Sequence, residues 1–330
     1  MRCPTLTELP PPPPGKTGWP WTGESPAFPA TQPSGAPWPK IGVVTPSFNQ
    51  AEFLEQTIRS ILLQGYPDLE YVIIDGGSTD QSTAIIRKYE RWLSYWVSEP
   101  DQGCSDASAK GLARTAADLL GVMNSDDFFA QGAFAKLVAL RLAHPQNVLW
   151  GGASPELDLT GKQIAAKQPF VRDQTAIGNW GVGAWFFSPA CLFDGPAYRA
   201  VGGFDPRFFN AGDVELWIRL AKIGTFVFTP ETVAFVHRNP QSISRRDELG
   251  GDIALVAANY LHGHQDIARA KMTRYIKNWL HTLNTNQTLA PDSATGILAQ
   301  APAGILARAL GLRVARIIRH PLRRIFRRPR

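Results

Sequence analysis

Residues 119–128 read Leu-Leu-Gly-Val-Met-Asn-Ser-Asp-Asp-Phe, an apolar run that ends abruptly in four polar residues. An apolar run of this kind predicts a buried strand, with the polar residues 124–127 at its end. Carboxylates crowded there, such as Asp126 and Asp127, repel one another and are costly to remove from water. Mg²⁺ or Mn²⁺ carrying a diphosphate would compensate them, because both ions prefer carboxylate and phosphate oxygens. A solvated turn is the alternative interpretation.

The segments before this run alternate between apolar stretches and helical periodicity. The apolar stretches are 41–45, 71–74 and 95–97, and each leads into polar or turn-forming residues. Apolar residues recur at helical spacing within 51–63 and 82–93. This alternation predicts an α/β fold with a mostly parallel, Rossmann-like central sheet flanked by helices. In such sheets ligands collect at the carboxyl ends of the strands, which is where the polar segments fall.

The positive charge of the chain is concentrated at one end. The formal net charge is +6, but residues 301–330 contain nine Arg and no Asp or Glu. The remainder is therefore close to neutral or slightly acidic. Because the basicity belongs to a tail, the sequence does not predict a nucleic-acid-binding domain.

The cysteines and the apolar segments bear on location. Cys3, Cys104 and Cys191 are far apart and lack metal-ligand spacing, and an odd number fits a reducing cytoplasm. We expect no signal peptide, because no charged segment followed by an apolar one opens the chain. We expect no membrane-spanning helix, because no run approaches about 18 apolar residues.

Both ends of the chain differ from its centre. Residues 1–39 contain twelve prolines and predict a disordered, Pro-rich arm. Residues 246–283 predict a helical extension, 284–301 a polar linker, and 302–330 a basic amphipathic tail. Such a tail predicts peripheral contact with an anionic membrane surface, and a partner-binding helix or a disordered segment is the alternative.

The centre, residues 40–245, carries six motifs. They are Val43-Val-Thr-Pro-Ser-Phe-Asn49, Ile73-Ile-Asp-Gly-Gly-Ser-Thr-Asp80, Ser98-Glu-Pro-Asp-Gln-Gly103, Gly121-Val-Met-Asn-Ser-Asp-Asp127, Val201-Gly-Gly-Phe-Asp205 and Asp213-Val-Glu-Leu-Trp-Ile-Arg-Leu220. In this order and spacing they resemble the family 2 glycosyltransferases, inverting enzymes with the GT-A nucleotide-diphospho-sugar fold. The resemblance covers about 205 of the 330 residues.

Several residues that follow the predicted strands are suited to hold a nucleotide. Backbone groups of Thr45, Pro46 and Ser47 are placed to line its base and ribose. Asp75 has an acceptor-only carboxylate suited to the imide of uracil or the amino edge of guanine, and a turn role is the alternative. By resemblance, Asp101 also faces the nucleotide.

The metal motif of the family is a carboxylate, any residue, and a second carboxylate. Here the three positions are Asn124, Ser125 and Asp126. Side chains alternate along an extended segment, so Asn124 and Asp126 share a face. We therefore expect Asp126 to bind Mg²⁺ or Mn²⁺ and Asp127 to have a secondary role. Asn124 and Ser125 are expected to contact the nucleotide-sugar donor, through its ribose or phosphates.

Inversion needs a base opposite the departing nucleotide. By resemblance, that base is Asp213, which opens a predicted helix over 213–223. A capping or first-turn acid is the alternative interpretation of Asp213. Glu215 is the other candidate base, but two residues further along a helix it points about 200° away.

The downstream sequence departs from the family pattern Arg-x-His-x-x-Ser, whose His helps to hold metal or phosphate. Counting back from Ser242 puts Asn239 at the His position and His237 at the Arg position. Either His237 takes over as a metal ligand, or Arg238 holds the diphosphate directly. The pattern therefore predicts diphosphate binding and leaves metal dependence open.

The resemblance implies a cytoplasmic glycosyltransferase at the inner face of the membrane. It would move a hexosyl or N-acetylhexosaminyl group from a UDP-sugar to a hydroxyl of a growing glycan or glycolipid in cell-surface polysaccharide synthesis. One alternative is a nucleotidyltransferase, although residues 45–50 lack a Gly-rich loop with a basic residue. The other is a catalytically degenerate nucleotide- or glycan-binding scaffold, which Asn124 and Asn239 favour and Asp213 opposes.

Overall fold

The computed structural model describes residues 1–166, 168–205, 208, 211–239, 259, 262–268 and 271. The chain divides into two units, Met1–Pro240 and Gln241–Arg330. The predicted helical extension lies outside the described residues except for 259, 262–268 and 271, and the linker and basic tail lie wholly outside them. In the described part, no helix is both long enough and apolar enough to cross a membrane.

The first unit is built from strands and helices that alternate along its first half. Its strands are β1 (Ile41–Ser47), β2 (Leu69–Asp75), β3 (Tyr95–Ser98), β4 (Leu119–Val122), β5 (Phe128–Phe129), β6 (Leu149–Ala153), β7 (Glu156–Leu157), β8 (Gln163–Ala165), β9 (Phe170–Val171), β10 (Ala184–Trp185), β11 (Cys191–Asp194), β12 (Phe226–Thr232) and β13 (Ala234–His237). Its helices are α1 (Ala51–Leu62), α2 (Ser82–Tyr89), α3 (Cys104–Leu112), α4 (Ala133–Ala143), α5 (Gly195–Ala200) and α6 (Gly212–Leu220).

A seven-stranded sheet forms the centre, in the order β12-β6-β11-β4-β1-β2-β3. Strand β11 runs antiparallel to β4 and β6, and the other neighbouring pairs are parallel. The predicted mostly parallel α/β sheet is therefore confirmed. A smaller sheet, β5-β13-β7-β8, lies beyond the end of β4 and pairs β5 with β13.

Alternating residues of β1 and β2 face opposite layers of helices. Val43 and Ile73 belong to the core cluster that also contains the buried faces of α1 and α4. Val44 and Ile74 lie against α3, where the missing side chain of Gly111 lets the helix approach: a Cβ there would overlap with Val44. Burial on both faces explains why these strands are continuously apolar in sequence.

The expectation that residues 1–39 form a disordered arm is wrong. Cys3, Leu9 and Trp21 are buried, and Cys3 and Leu9 belong to the core cluster. The Cys3 amide donates to the Tyr66 carbonyl at 2.8 Å, and Met1 and Leu69 exchange backbone hydrogen bonds. The segment is therefore an ordered layer of the first unit.

The buried guanidinium of Arg59 explains how this layer is held. It donates to the carbonyl oxygens of Pro10, Pro20 and Trp21 at 2.8–3.0 Å, and to the Tyr89 hydroxyl at 3.1 Å. Proline has no N–H to satisfy, so a Pro-rich segment can be buried once its carbonyls find donors. The composition of residues 1–39 does not reveal this order, because the hydrogen-bond donor, Arg59, lies in α1, outside the segment.

Candidate active site

The carboxyl ends of β1, β2 and β3 form one continuous row. Ser47 is in register with Asp75, and Asp75 is in register with Ser98. The Asp75 carboxylate is fully buried and accepts from the Ser98 hydroxyl at 2.6 Å and from the Ser78 hydroxyl and amide at 2.6 and 2.9 Å. Three of its roughly four lone-pair positions are therefore used within the protein.

The residues at the end of β1 are placed differently from one another. The Thr45 hydroxyl pairs with the Tyr71 hydroxyl at 3.1 Å inside the core. Pro46 is buried in the strand, and the buried Ser47 Oγ has no hydrogen-bond partner among the described residues. The next residue, Phe48, is 58% exposed. Sequence reasoning did not single out Phe48, although an aromatic residue directly after a predicted strand end was a visible signal.

Asp101 joins this edge from the loop after β3. A Cβ added to Gly76 would lie 2.9 Å from Asp101 Oδ2, so the carboxylate rests on the loop that follows β2. The Gly103 amide donates to its other oxygen at 2.7 Å. Burial is the main cause of the raised pKa of Asp101, and the negative charges of Asp106 and Asp75 add to it.

The acidic segment, residues 124–127, follows β4 at the same edge. The Asn124 side-chain amide donates to Asp127 Oδ2 at 3.0 Å, and the His237 backbone amide donates to Asp127 Oδ1 at 3.0 Å. Asp127 is buried, and burial together with the charge of Asp126 raises its pKa well above the usual range. Asp127 therefore supports Asn124 and the end of β13. Ser125 is also buried.

Asp126 contacts two residues at and after the end of β13, namely Asn239 through its carboxylate and His237 through its backbone oxygen. Burial raises the pKa of Asp126, while the charge of His237 and a hydrogen bond from the Asn239 side chain oppose the rise. His237 Nδ1 lies 2.5 Å from the Asp126 backbone oxygen, and its ring packs near Phe53 and Phe128, at centroid distances of 5.2 and 5.6 Å. Asn239 is thus the residue whose side chain touches the Asp126 carboxylate.

Arg238, the predicted diphosphate ligand, is paired with a carboxylate. Its Nε and Nη2 both donate to Glu156 Oε2, at 2.8 and 2.6 Å. The Arg238 side chain remains 41% exposed, whereas that of Glu156 is nearly buried. Binding of a diphosphate by Arg238 would therefore have to share the guanidinium with Glu156.

Asp213 lies in the first turn of α6. Ala211 occupies the N-cap position, so Asp213 is a first-turn acid rather than the cap. The Ser188 hydroxyl donates to Asp213 Oδ2 at 2.5 Å. Glu215 is buried and accepts from Arg219 at 2.7 and 2.5 Å, so its carboxylate is committed to a structural ion pair.

The thiol of Cys104, at the start of α3, lies within the electrostatic influence of three of these carboxylates. Burial raises its pKa to about 12, and the negative charges of Asp213, Asp126 and Asp101 contribute to the rise. The starts of α3 and α6 pack directly together, because a Cβ on Gly212 would overlap with Ser105. The Cys104 thiol also lies 3.9 Å from Asn124 Oδ1, so the start of α3 contacts both the acidic segment and the start of α6.

The carboxylates present fit a metal ion only when a ligand supplies further oxygens. Among the described residues, no group of three or more His, Cys, Asp or Glu side chains could hold a metal. Asp126 offers one carboxylate, and Asn124 and Asn239 offer amides nearby. Mg²⁺ is commonly bound by one or two carboxylates together with substrate phosphates, so the site fits an ion that arrives with a diphosphate.

Known proteins of similar sequence are glycosyltransferases. Residues 42–191 match the model of glycosyl transferase family 2. An uncharacterized glycosyltransferase of Mycobacterium tuberculosis is 31% identical over 219 residues, which cover 62% of this chain and 80% of that protein. A putative teichuronic acid biosynthesis glycosyltransferase of Bacillus subtilis is 33% identical over 92 residues, which cover 27% of this chain and 36% of that protein.

A solved structure shows the same architecture. The crystal structure of S. aureus TarS 1–349 in complex with UDP-GlcNAc matches with a TM-score of 0.60 at 14% identity. The match covers 83% of this chain and 82% of that one. At this identity the likeness shows the fold, which is the GT-A arrangement.

Proposed function

Because this chain belongs to the family 2 glycosyltransferases, we propose that it transfers a sugar from a UDP-sugar to a hydroxyl of a growing glycan, with inversion at the anomeric carbon. The observation that carries the proposal is the packing of the start of α3 against both regions: the Cys104 thiol lies 3.9 Å from Asn124 Oδ1, and α3 meets the start of α6 where Ser105 contacts Gly212. This packing brings the donor-side residues and a separate carboxylate, Asp213, to one site, as an in-line displacement requires.

The donor's nucleotide is assigned to the row formed by the ends of β1, β2 and β3. The exposed ring of Phe48 offers a face on which a base can stack, an interaction that aromatic side chains provide for any base. The Ser47 hydroxyl is a buried donor that a ribose or phosphate oxygen would satisfy. The remaining acceptor position of Asp75 suits the imide N–H of uracil.

The diphosphate is assigned to the acidic segment. Asp126 would hold a divalent ion, with Asn124 and Asn239 beside it. When bound, Mg²⁺ or Mn²⁺ neutralises charge on the departing diphosphate. Asp127 keeps the Asn124 amide in place, since the two side chains are hydrogen-bonded at 3.0 Å.

Asp213 is assigned as the base. Its carboxylate would accept the proton of the acceptor hydroxyl as that oxygen forms a bond to the anomeric carbon and the bond to the diphosphate breaks. The Ser188 hydroxyl fixes the carboxylate through Oδ2. A single base on the face opposite the leaving group gives inversion.

The acceptor and the cellular location are proposed from a similar protein and from the sequence of the basic tail. The B. subtilis relative, a putative teichuronic acid biosynthesis glycosyltransferase, supports a role in cell-surface polysaccharide synthesis, with a glycan or glycolipid as acceptor. The basic tail, residues 302–330, supports peripheral contact with the inner face of a membrane from the cytoplasm. Deletion of residues 303–330 should abolish binding to vesicles that contain anionic lipid. Unchanged binding would remove the membrane contact and the argument for a lipid-linked acceptor.

The donor assignment is tested by measuring the thermal stability of the purified chain with UDP, GDP, dTDP or CDP, each with and without Mn²⁺. We expect the largest stabilisation from UDP with Mn²⁺, because only a bound ligand raises the melting temperature. Selective stabilisation by another diphosphate would replace the proposed donor class. No response to any nucleotide would favour a degenerate scaffold.

A further inference from the structure

Three buried polar side chains on one side of α1 and its C-terminal end form a row that contacts the acidic segment from behind. They are Thr57, Ser60 and Gln64, and we call them the polar row. The spacing of Thr57 and Ser60 places them on one face of α1, among its apolar residues that pack into the core, and Gln64 follows just after the helix ends. A polar row at a buried position is costly unless each member is hydrogen-bonded.

Every member of the polar row bonds to backbone atoms in or just after the acidic segment. Thr57 Oγ1 lies 2.6 Å from the Asp127 carbonyl oxygen and 3.0 Å from that of Ser125. The Phe129 amide donates to Ser60 Oγ at 3.1 Å. Gln64 Nε2 donates to the Ala130 carbonyl at 3.0 Å.

The ordered N-terminal layer reinforces the same stretch of backbone. The Trp19 indole donates to the Phe129 carbonyl at 2.7 Å. The Gly132 amide donates to the Ser25 hydroxyl at 2.9 Å. Residues 125–132 are therefore held from behind by two separate parts of the chain.

These bonds fix the path of the backbone independently of the side chains that it carries. With the Ser125 and Asp127 carbonyls bonded to α1, the Asp126 side chain is left to meet Asn239. On the opposite side, Asn124 and the His237 amide bond to Asp127. Loss of the Thr57 hydroxyl would remove the one O–H donor that the Ser125 and Asp127 carbonyls share, directly beside the residues assigned to the sugar donor.

We infer that the polar row is a positioning element, which holds the backbone of residues 125–130 so that Asn124 and Asp126 face the donor. The inference rests on the proposed function, since it takes these two residues as parts of the donor site. None of the three side chains needs to touch the donor to affect its binding.

The test uses a pair of variants at one position. Thr57→Val keeps the shape of the side chain and removes its hydroxyl, whereas Thr57→Ser keeps the hydroxyl. Ile86→Val is the control, because it alters a buried apolar residue of α2 that cannot hydrogen-bond. For each full-length protein, one measures UDP affinity with Mn²⁺ by calorimetry, the melting temperature, and amide hydrogen exchange in peptides that cover residues 120–132.

We expect Thr57→Val to weaken binding of UDP with Mn²⁺ about tenfold and to accelerate exchange in residues 124–130. Thr57→Ser should restore both, and Ile86→Val should lower the melting temperature without changing either. Wild-type affinity in Thr57→Val, or an equal loss in Ile86→Val, would reduce the polar row to a purely structural role and overturn the inference.

A failure of the proposed donor would be recognised separately. If the wild-type chain does not bind UDP, the proposed function fails and hydrogen exchange decides the inference. Faster exchange of residues 124–130 in Thr57→Val, reversed in Thr57→Ser, would still support a role in holding this segment. Unchanged exchange would overturn it.

Discussion

The acidic segment and the first turn of α6 carry the two groups of carboxylates in the site, and they are held very differently. In the acidic segment, Asp127 has both oxygens bonded, and the polar row fixes the backbone. In α6, the Asp213 side chain accepts from the Ser188 hydroxyl and from the adjacent Val214 amide. Each oxygen of both carboxylates accepts one hydrogen bond, but Asp127 is buried whereas Asp213 is only half-buried, so an acceptor hydroxyl can reach Asp213. Changes in the acidic segment should alter binding, and changes in α6 should alter the rate.

The largest effect is expected from Asp213→Asn. The amide cannot accept the acceptor's proton, so kcat should fall by about 10²- to 10⁴-fold. Binding of UDP with Mn²⁺ should stay within about twofold, because the acidic segment is untouched. Steady-state transfer assays measure kcat, and calorimetry on the same protein measures the affinity for UDP with Mn²⁺.

Glu215→Gln is the matched control for Asp213→Asn. It removes a buried charge partner of Arg219, so we expect a loss of about 3 kcal/mol or more in the free energy of unfolding. The fraction that remains folded should turn over at nearly the wild-type rate. Loss of turnover in the folded fraction would instead make Glu215 the base.

Asp126→Asn should weaken donor binding, because it changes the acidic segment and leaves α6 intact. Removal of the carboxylate should weaken UDP binding by about tenfold to a hundredfold in Mn²⁺ and much less in its absence. Calorimetry with and without Mn²⁺ measures the difference. If Mn²⁺ enhanced binding equally in the variant and in the wild type, Asp126 would not be the metal ligand.

Ser188→Ala should sharpen the distinction between rate and binding. Because the hydroxyl fixes Asp213 at 2.5 Å, its loss should lower kcat about tenfold while the KM for the donor stays nearly constant. Ser188→Thr retains a hydroxyl and should recover most of the rate. Equal changes in kcat and in donor KM would contradict a role confined to Asp213.

Cys104→Ser should have the smallest effect. The thiol lies near both regions, but with a pKa of about 12 it stays protonated near neutral pH, so transfer should change by less than about threefold. Alkylation of Cys104 in the folded wild-type chain should be slow between about pH 7 and 9 and accelerate as the pH approaches the thiol pKa. Abolished transfer in Cys104→Ser would place the thiol in the chemistry.

The strands and helices of residues 41–98 were predictable from the sequence, because the residues of each element carry its own periodicity. The apolar stretches 41–45 and 71–74 lie within β1 and β2, and both strands extend further because Pro46 and Ser47 continue in register with Ile74 and Asp75. The predicted helix over 82–93 ends earlier, at Tyr89, and continues as a short 3₁₀ turn.

Contacts between distant segments were not predictable. The order of residues 1–39 depends on Arg59 in α1, and the placement of Asp126 depends on Asn239. The motifs named Asp213 and Asp126 as site residues, but the bond from Ser188 has no local signature. The polar row was visible as Thr57, Ser60 and Gln64, yet its role emerges only when their backbone partners are known.

The most direct test of the account is the anomeric configuration of the product. ¹H NMR of the transfer product, made with the nucleotide-sugar that the wild-type chain uses, should show the opposite configuration from the donor. That result follows if Asp213 directs a single in-line displacement. Retention of configuration would contradict the assignment of Asp213 as the sole base and the inverting mechanism with it.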